Sequence, residues 1–308
     1  MTEGNAARKG FITIATGRDE YYVLAHNLLM SYRFHSRSSV PFAIICDKQN
    51  EYTADFDAVV LMEDPQFSVF DKLRLPELIP FEETIFIEAD CLLYRDPNGM
   101  WSLFKDGPDF GALGNVRSLD DPEGWFRAEY LGPYRSRVKQ QFQHQGGVYY
   151  MRKGPALDDF TRTCKEIRLH QDDFHFKLPN EEPVFALACM LHGFLPVKDW
   201  IFVFCYYPAV TVTRIDIIRG IILFNTSFCF QSRPGLFLVH WGSKDTRKPL
   251  YLRETEAVTS RVRQGKHASA FIPVRIRINK ALLCLKEFIK PIVPLSVKQW
   301  IWRKHIAQ

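Results

Sequence analysis

Glu88 and Asp90 stand one residue apart behind the apolar run Ile85, Phe86 and Ile87, and a second apolar run, Cys91 to Tyr94, follows at once. On an extended chain the side chains at i and i+2 point to the same side. Two carboxylates so placed can approach one divalent cation, and hard oxygen ligands suit Mn²⁺ or Mg²⁺, ions that keep open positions for phosphate oxygens. A bare Glu-x-Asp is more often a solvated turn. The buried strand in front of it is what raises the chemical reading, because a carboxylate taken out of water needs a partner. Far along the chain His240 closes the run Gly235 to Val239 and precedes Trp241, Gly242, Ser243 and Lys244, with Lys248 and Pro249 beyond. An imidazole at a strand end can complete a carboxylate and histidine metal site. Lys244 and Lys248 can neutralise a departing diphosphate. A lone histidine is more often a packed or capping residue, so His240 gains weight only together with the acids.

The elements that must position these groups alternate. FITIAT from Phe11 reads as a strand that Gly17 breaks, and Tyr22, Ala25, Leu28, Leu29 and Tyr32 then recur at helical spacing. PFAIICD and DAVVLME read as further strands, and DKLRLPELIPF as a short helix interrupted at Pro76 before the strand that ends in the carboxylates. Strands alternating with helices predict a mostly parallel, doubly wound sheet, whose ligands sit beyond the C-terminal strand ends. Ala15, Thr16 and Gly17, Cys46 and Asp47, and Glu88 to Asp90 all fall at such ends, so one common cleft is expected. Downstream, FGALGNVRS reads as a strand, and HQGGVYYMRKG as a turn plus strand in which Gly146 and Gly147 permit close backbone approach or positive φ. Helices are expected near DDFTRTCKEIRLH and over EEPVFALACMLHG, the latter stopped by Gly193.

Composition bounds the rest. With 308 residues, 46% hydrophobic and 24% charged, the chain has the make-up of a globular protein, and its 25 phenylalanines predict an aromatic core. The net charge of +5 is uneven: residues 271–308 hold eight Lys and Arg against Glu287 alone, a local +7 that leaves the other 270 residues at −2. Basicity is therefore not a nucleic-acid footprint spread over the main domain, and no nucleic-acid partner is expected. Seven cysteines without a Cys-x-x-Cys pair suggest neither a zinc framework nor a disulfide ladder, and they fit a cytoplasmic chain. The N-terminus has no long apolar stretch of the secretory type. A division into a main domain, 1–270, and an amphipathic basic extension, 271–308, follows. The extension reads either as an interfacial helix on the anionic inner face of a membrane or as a helix packed on the domain with a solvated basic face.

Glu88-Ala89-Asp90, the QGGV of residues 145–148, the NEEPVFALA of 180–188 and the HWGS…KP of 240–249 occur in one order. Together, over roughly residues 11–252, they resemble the family 8 glycosyltransferases, the glycogenin and lipopolysaccharide galactosyltransferase group. The resemblance implies the GT-A fold, a Rossmann-like α/β architecture with a mixed, mostly parallel central sheet. It implies that Glu88, Ala89 and Asp90 match the family's Asp-x-Asp, which binds Mn²⁺ and the nucleotide diphosphate, with His240 as the late metal ligand. Lys72 matches the basic residue that helps hold the sugar nucleotide. Gln145, Gly146 and Gly147 match the turn beside the donor sugar, and Glu181 and Glu182 match an Asp-Gln pair near its reacting face. Gly242, Lys244 and Lys248 fall in the altered histidine-to-lysine ending. Three departures stand out: Glu for the first Asp, Gln145 for Asn and Glu182 for Gln.

The implied activity is retaining, metal-assisted transfer of a sugar from a nucleotide donor, UDP being the family's usual nucleotide, to a carbohydrate or lipid-linked acceptor. Glu182 is the residue expected to face the oxocarbenium-like centre. Ala15, Thr16 and Gly17, with Tyr22 nearby, form the expected nucleobase pocket, although Tyr22 at its helical position reads equally as core. A sugar-1-phosphate nucleotidyltransferase is the rival enzyme, weakened because ATGRDE after the first strand is no glycine-rich phosphate loop. A catalytically silent binding or scaffold protein of the same fold is the rival outside enzymology, and Glu88 and Glu182 are the departures that favour it.

Overall fold

A computed structural model describes residues 8–197, 203–205, 210–226, 229–231, 237–242 and 244–268. The elements run β1 (Lys9–Ala15), α1 (Asp19–His35), β2 (Phe42–Cys46), β3 (Ala58–Leu61), α2 (Leu75–Leu78), β4 (Glu83–Ile87), β5 (Cys91–Leu93), α3 (Trp101–Phe104), β6 (Phe110–Ser118), β7 (Gln140–Arg152), α4 (Pro155–Leu169), α5 (Glu181–His192), β8 (Val203–Cys205), β9 (Val210–Asp216), β10 (Ile221–Thr226), β11 (Cys229–Gln231), β12 (Leu238–His240) and α6 (Pro249–Arg263). All belong to one compact unit, Met1–His267. The basic extension expected at 271–308 lies outside the described residues. No helix among the described residues is long and apolar enough to cross a membrane.

The central sheet has the order β3-β2-β1-β4-β7-β6. Strands β3, β2, β1 and β4 are mutually parallel, β7 runs against β4, and β6 runs against β7, so five of the six strands share a direction. The expected mixed, mostly parallel sheet is the one found. Parallel strands are covered on both faces and read as unbroken apolar runs rather than alternations. All five residues of β2 are buried for that reason, as are Ile85, Phe86 and Ile87 of β4. The abundant phenylalanines fill the layer under α4 and α5: Phe110 stacks on Phe160 at 4.3 Å, Phe185 lies 4.9 Å from Phe110, and Tyr149 stacks on Phe86 at 5.7 Å.

Two smaller sheets stand beside it among the described residues, β5-β12-β8 and the antiparallel β11-β10-β9. The first positions the site. Strand β5 follows Asp90 directly, and β12 pairs with it antiparallel so that His240 lies opposite Cys91. Helix α1 fixes β5 from behind: buried Ser31 donates to the Leu28 carbonyl at 2.7 Å and accepts the Leu93 N–H at 3.0 Å. Helix α1 itself carries Asp19 and Glu20 in its first turn and Arg33 in its last, the charge order its dipole favours.

Three local readings differ from the structure. The segment from Gln140 to Arg152 is one continuous strand, with Gly146 and Gly147 extended inside it instead of forming a turn. Pro76 does not interrupt a helix: a 3₁₀ segment, Val69–Arg74, runs into α2 with Pro76 in the first turn, where its missing N–H is harmless. Helix α6 is not among the helices expected from the sequence; its signal is Pro249 ahead of Tyr251, Glu254, Thr255 and Val258, a buried stripe at helical spacing.

Replacing Ser31 with Ala strands the Leu93 N–H in the core, and an unsatisfied buried donor costs about 1–3 kcal/mol. Denaturant unfolding is expected to show the Ser31→Ala chain less stable by roughly that amount; a change within error would mean that β5 is not tied to α1 in this way.

Candidate active site

Strand β4 delivers Glu88 to the C-terminal edge of the sheet, where its N–H donates to the Gly147 carbonyl at 3.0 Å and its own carbonyl accepts Cys91 N–H at 3.0 Å. This tight turn aims Glu88 and Asp90 at the strand carrying His240. The His240 Nε2 lies 3.1 Å from Glu88 Oε2 and 3.0 Å from Asp90 Oδ1. Trp241 N–H donates to the Asp90 carbonyl at 3.1 Å and locks the register. The two acids and the histidine, 150 residues apart in sequence, thus meet as expected. Burial works against the imidazolium, but Cys91, Asp90 and Glu88 around it hold the His240 pKa well above its ordinary value.

The other Glu88 oxygen is occupied. Lys72, from the 3₁₀ segment before α2, bonds Glu88 Oε1 and lies 2.8 Å from Glu181 Oε1 at the start of α5. Burial alone would drive Lys72 toward neutrality; the Glu88 and Glu181 carboxylates outweigh it and keep the ammonium charged. Burial likewise raises Glu88, yet Lys72 and His240 hold its pKa below the usual carboxylate range. Glu181 is almost fully buried, and its Oε2 makes no hydrogen bond.

Glu182 reaches the facing strand. Its Oε1 accepts Gly146 N–H at 2.6 Å and its Oε2 accepts Asn180 Nδ2–H at 3.1 Å. A Cβ on Gly146 would lie 3.0 Å from Glu182 Oε1 and 3.2 Å from Glu181 Oε1, so any larger residue there makes these two carboxylates give way. Burial, reinforced by Glu181, pushes the Glu182 pKa up to about 7. These two glutamates are therefore built into the cleft wall and are not a solvated first turn of a helix.

Donor atoms that could hold a cation converge from two strands. Asp90, Cys91 and His240 each offer one ligand atom within a mutual 4.8 Å, and Glu88 Oε2 faces the same imidazole nitrogen. Asp90 Oδ1 is buried 3.0 Å from His240 Nε2, and two carboxylates with an imidazole are a donor set that fits Mn²⁺ or Mg²⁺.

The remaining expected residues are distributed along the same edge. Ala15 ends β1 and is buried; Thr16 Oγ1 donates to Asp71 Oδ2 at 3.0 Å, and Gly17 N–H donates to Asp47 Oδ1 at 2.9 Å. Tyr22 has no exposed surface, and its hydroxyl donates to Asp47 Oδ1; its ring lies in the core, the second of its two readings, and what it offers the cleft is a fixed Asp47. Ala89 and Gln145 are buried beside Glu88 and Gly146 in the chain. Gly242 lies just past β12, Lys244 is exposed, and Lys248 pairs with Asp245 across a 3₁₀ turn. Asp71, buried at the centre of the edge, was not singled out from the sequence. Its signal was an acid directly preceding Lys72 in a segment otherwise read for helix periodicity.

No family model matches the chain, and no curated protein matches it in sequence. Solved structures do. The apo-form glycosyltransferase GlyE of Streptococcus pneumoniae TIGR4 is 9% identical, with a TM-score of 0.51 over 86% of this chain and 66% of that one. The galactosyltransferase LgtC, in complex with donor and acceptor sugar analogues, is 14% identical, with a TM-score of 0.49 over 87% of this chain and 99% of that one. Mouse xyloside xylosyltransferase 1 is 11% identical, with a TM-score of 0.47 over 77% and 98%.

Two measurements test this wiring. Lys72→Met strips Glu181 of its cation and leaves Glu88 with His240 alone, and loss of about 3–5 kcal/mol of unfolding free energy is expected; a stable variant would show that the bridge is dispensable. For Glu182, the folded chain holds its proton up to about pH 7 while the unfolded chain releases it near 4.5. A carboxyl raised in this way favours the folded state at low pH and loses that contribution as pH rises through 7. Allowing for partial solvent contact, the loss is on the order of 2 kcal/mol. Stability curves at pH 4.5 and pH 8.5 should therefore diverge in the parent and run closer together in Glu182→Gln; equal divergence would remove Glu182 as the source. The likeness to GlyE is one of fold, and the chain has the GT-A fold.

Proposed function

We propose that this chain is a metal-assisted glycosyltransferase that moves a sugar from a nucleotide-diphosphate donor, UDP-sugar by the family resemblance, to a glycan or lipid-linked acceptor. The observation that carries the reading is the meeting of Glu88, Asp90 and His240 at the C-terminal edge of a GT-A sheet, 3.0–3.1 Å apart through one imidazole nitrogen. Glu88, Asp90 and His240 are the residues that would hold Mn²⁺ or Mg²⁺. When bound, such a cation supplies charge stabilisation for the diphosphate leaving group.

The chain's own residues divide the remaining work. Lys72 fixes the Glu88 carboxylate by taking one oxygen, so that the other is aimed at His240. Gly146 and Gly147 bring backbone close to where the donor sugar would lie, with Gln145 beside them. Glu182, anchored on Gly146 N–H, places a carboxyl beside that backbone; in its ionised form it supplies negative charge to an oxocarbenium-like centre. Glu181 stands behind it and balances Lys72. Lys244 and Lys248, past β12, contribute positive charge toward the departing diphosphate. The eight basic residues against one acid in 271–308 support peripheral contact with an anionic membrane surface and a cytoplasmic setting in which a lipid-linked acceptor is presented.

Calorimetric titration of UDP, and separately GDP, with Mn²⁺ and then with EDTA tests the reading. UDP binding that requires Mn²⁺ and is lost in Asp90→Ala is expected, followed by hydrolysis or transfer from a UDP-sugar. Absence of binding by either nucleotide would sink the donor assignment and move the silent-scaffold reading to first place.

A further inference from the structure

Phe67 is the residue that the donor site leaves unexplained. It is 63% exposed, a large apolar ring at the same strand-end edge as the carboxylates. Its backbone has φ +53°, and Asp64 three residues earlier has φ +49°, both in the left-handed region that non-glycine residues rarely adopt. Strain of this kind persists only where the surroundings over-determine it, and it gathers at ligand clamps.

The surroundings do over-determine it. Gln66 N–H donates to Asp71 Oδ1 at 2.7 Å, and the other oxygen of the same buried carboxylate accepts Thr16 Oγ1 at 3.0 Å. One aspartate thus pins the Phe67 loop to the end of β1. The ring rests on Gly17: a Cβ there would come within 2.9 Å of Phe67 Cδ1, and Gly17 is itself at φ +80° with its N–H held by Asp47. The ring is therefore placed, with one side against backbone and much of its surface exposed.

Register sets what lies around it. Ala15 of β1, Cys46 of β2 and Leu61 of β3 are aligned across three parallel strands, so Gly17 and Asp47 follow neighbouring strand ends. Strand β4, which delivers Glu88, is the other neighbour of β1. The segment from Phe67 to Lys72 spans this edge, with the aromatic ring at one end and the ammonium bound to Glu88 at the other. A ligand with a flat aromatic group at one end and phosphates at the other matches that arrangement. A ring flanked by carboxylates suits the π-face of a base with polar edges, and the exposed side chains of Leu61 and Val69 in the same stretch are aliphatic and offer no such face.

We propose that Phe67 is the stacking platform for the nucleobase of the donor, held over Gly17 by the Asp71 pin. The inference rests on the donor reading above and adds to it the residue that recognises the base.

The test compares a ligand with a base to one without. Binding of UDP, or of GDP if that is the nucleotide bound, and of inorganic pyrophosphate is measured with Mn²⁺ on the parent, Phe67→Ala and Phe67→Leu chains. Leu keeps apolar packing against Gly17 but removes the π-face. Nucleotide affinity is expected to fall about tenfold in both variants, as loss of one base stack predicts, with pyrophosphate affinity unchanged. In Phe67→Trp the added indole is expected to be quenched by the nucleotide and not by pyrophosphate. Unchanged nucleotide affinity, equal weakening of nucleotide and pyrophosphate, or an indole blind to the nucleotide would each overturn the assignment while leaving the donor site standing. A parent that binds neither ligand overturns both readings together.

Discussion

The arrangement depends on one buried cation. Lys72 sits between Glu88 and Glu181, and those three residues come from the end of β4, the start of α5 and the 3₁₀ segment that follows β3. An ammonium withdrawn from water is tolerable only where carboxylates meet it closely. Each of the three elements is therefore positioned by the charge of the others, and none can drift without exposing an unpaired ion to a low-polarity interior. The bridge also divides Glu88 into two halves: one oxygen is structural, the other is left facing His240. Glutamate, one methylene longer than aspartate, has the reach to serve both.

Strand pairing does for His240 what charge does for Glu88. The antiparallel register of β12 on β5, with His240 opposite Cys91, and the Trp241 N–H on the Asp90 carbonyl leave the imidazole little freedom. Ser31 holds β5 from the opposite side. Site precision thus comes from backbone hydrogen bonds on rigid elements, and the loop residues carry only what must meet the ligand.

Much of this was legible in the sequence because the strongest signals are the buried ones. The apolar runs of β1, β2 and β4, the helical period of α1 and α5 and the acid pair behind Ile87 all follow from burial on two faces or one, and so does the doubly wound reading. The meeting of Glu88, Asp90 and His240 was legible from their positions at strand ends. What escaped was decided by tertiary packing. Gly146 and Gly147 look like turn residues, yet they lie inside a strand paired with β4 and β6, where the Gly147 carbonyl accepts Glu88 N–H and Gly146 N–H is taken by Glu182. Tyr22 at the mouth of the first strand looked available to a base, while its helical position alone could not tell core from cleft; the structure encloses it and directs its hydroxyl to Asp47. Phe67 sits among Asp64, Pro65, Gln66 and Ser68, where no period marks it, and only three-dimensional contact with Gly17 distinguishes it from a loop residue.

The two ends of the segment from Asp64 to Lys72 explain why its backbone is strained. Its C-terminal end is anchored by Lys72 in the ion cluster and by Asp71 on Thr16, and Asp71 also holds Gln66 N–H nearer the middle. With both anchors set, the chain arriving from β3 has few residues in which to turn back over the ends of β1 and β2. Left-handed backbone at Asp64 and Phe67 is how it closes that distance. Relaxing the strain would require releasing Asp71 from β1 or Lys72 from Glu88, and each release uncovers a buried charge. The conformation that exposes an aromatic ring over Gly17 is thus a consequence of the same electrostatic constraint that orients Glu88, and the two ends of the cleft are set by one short stretch of chain.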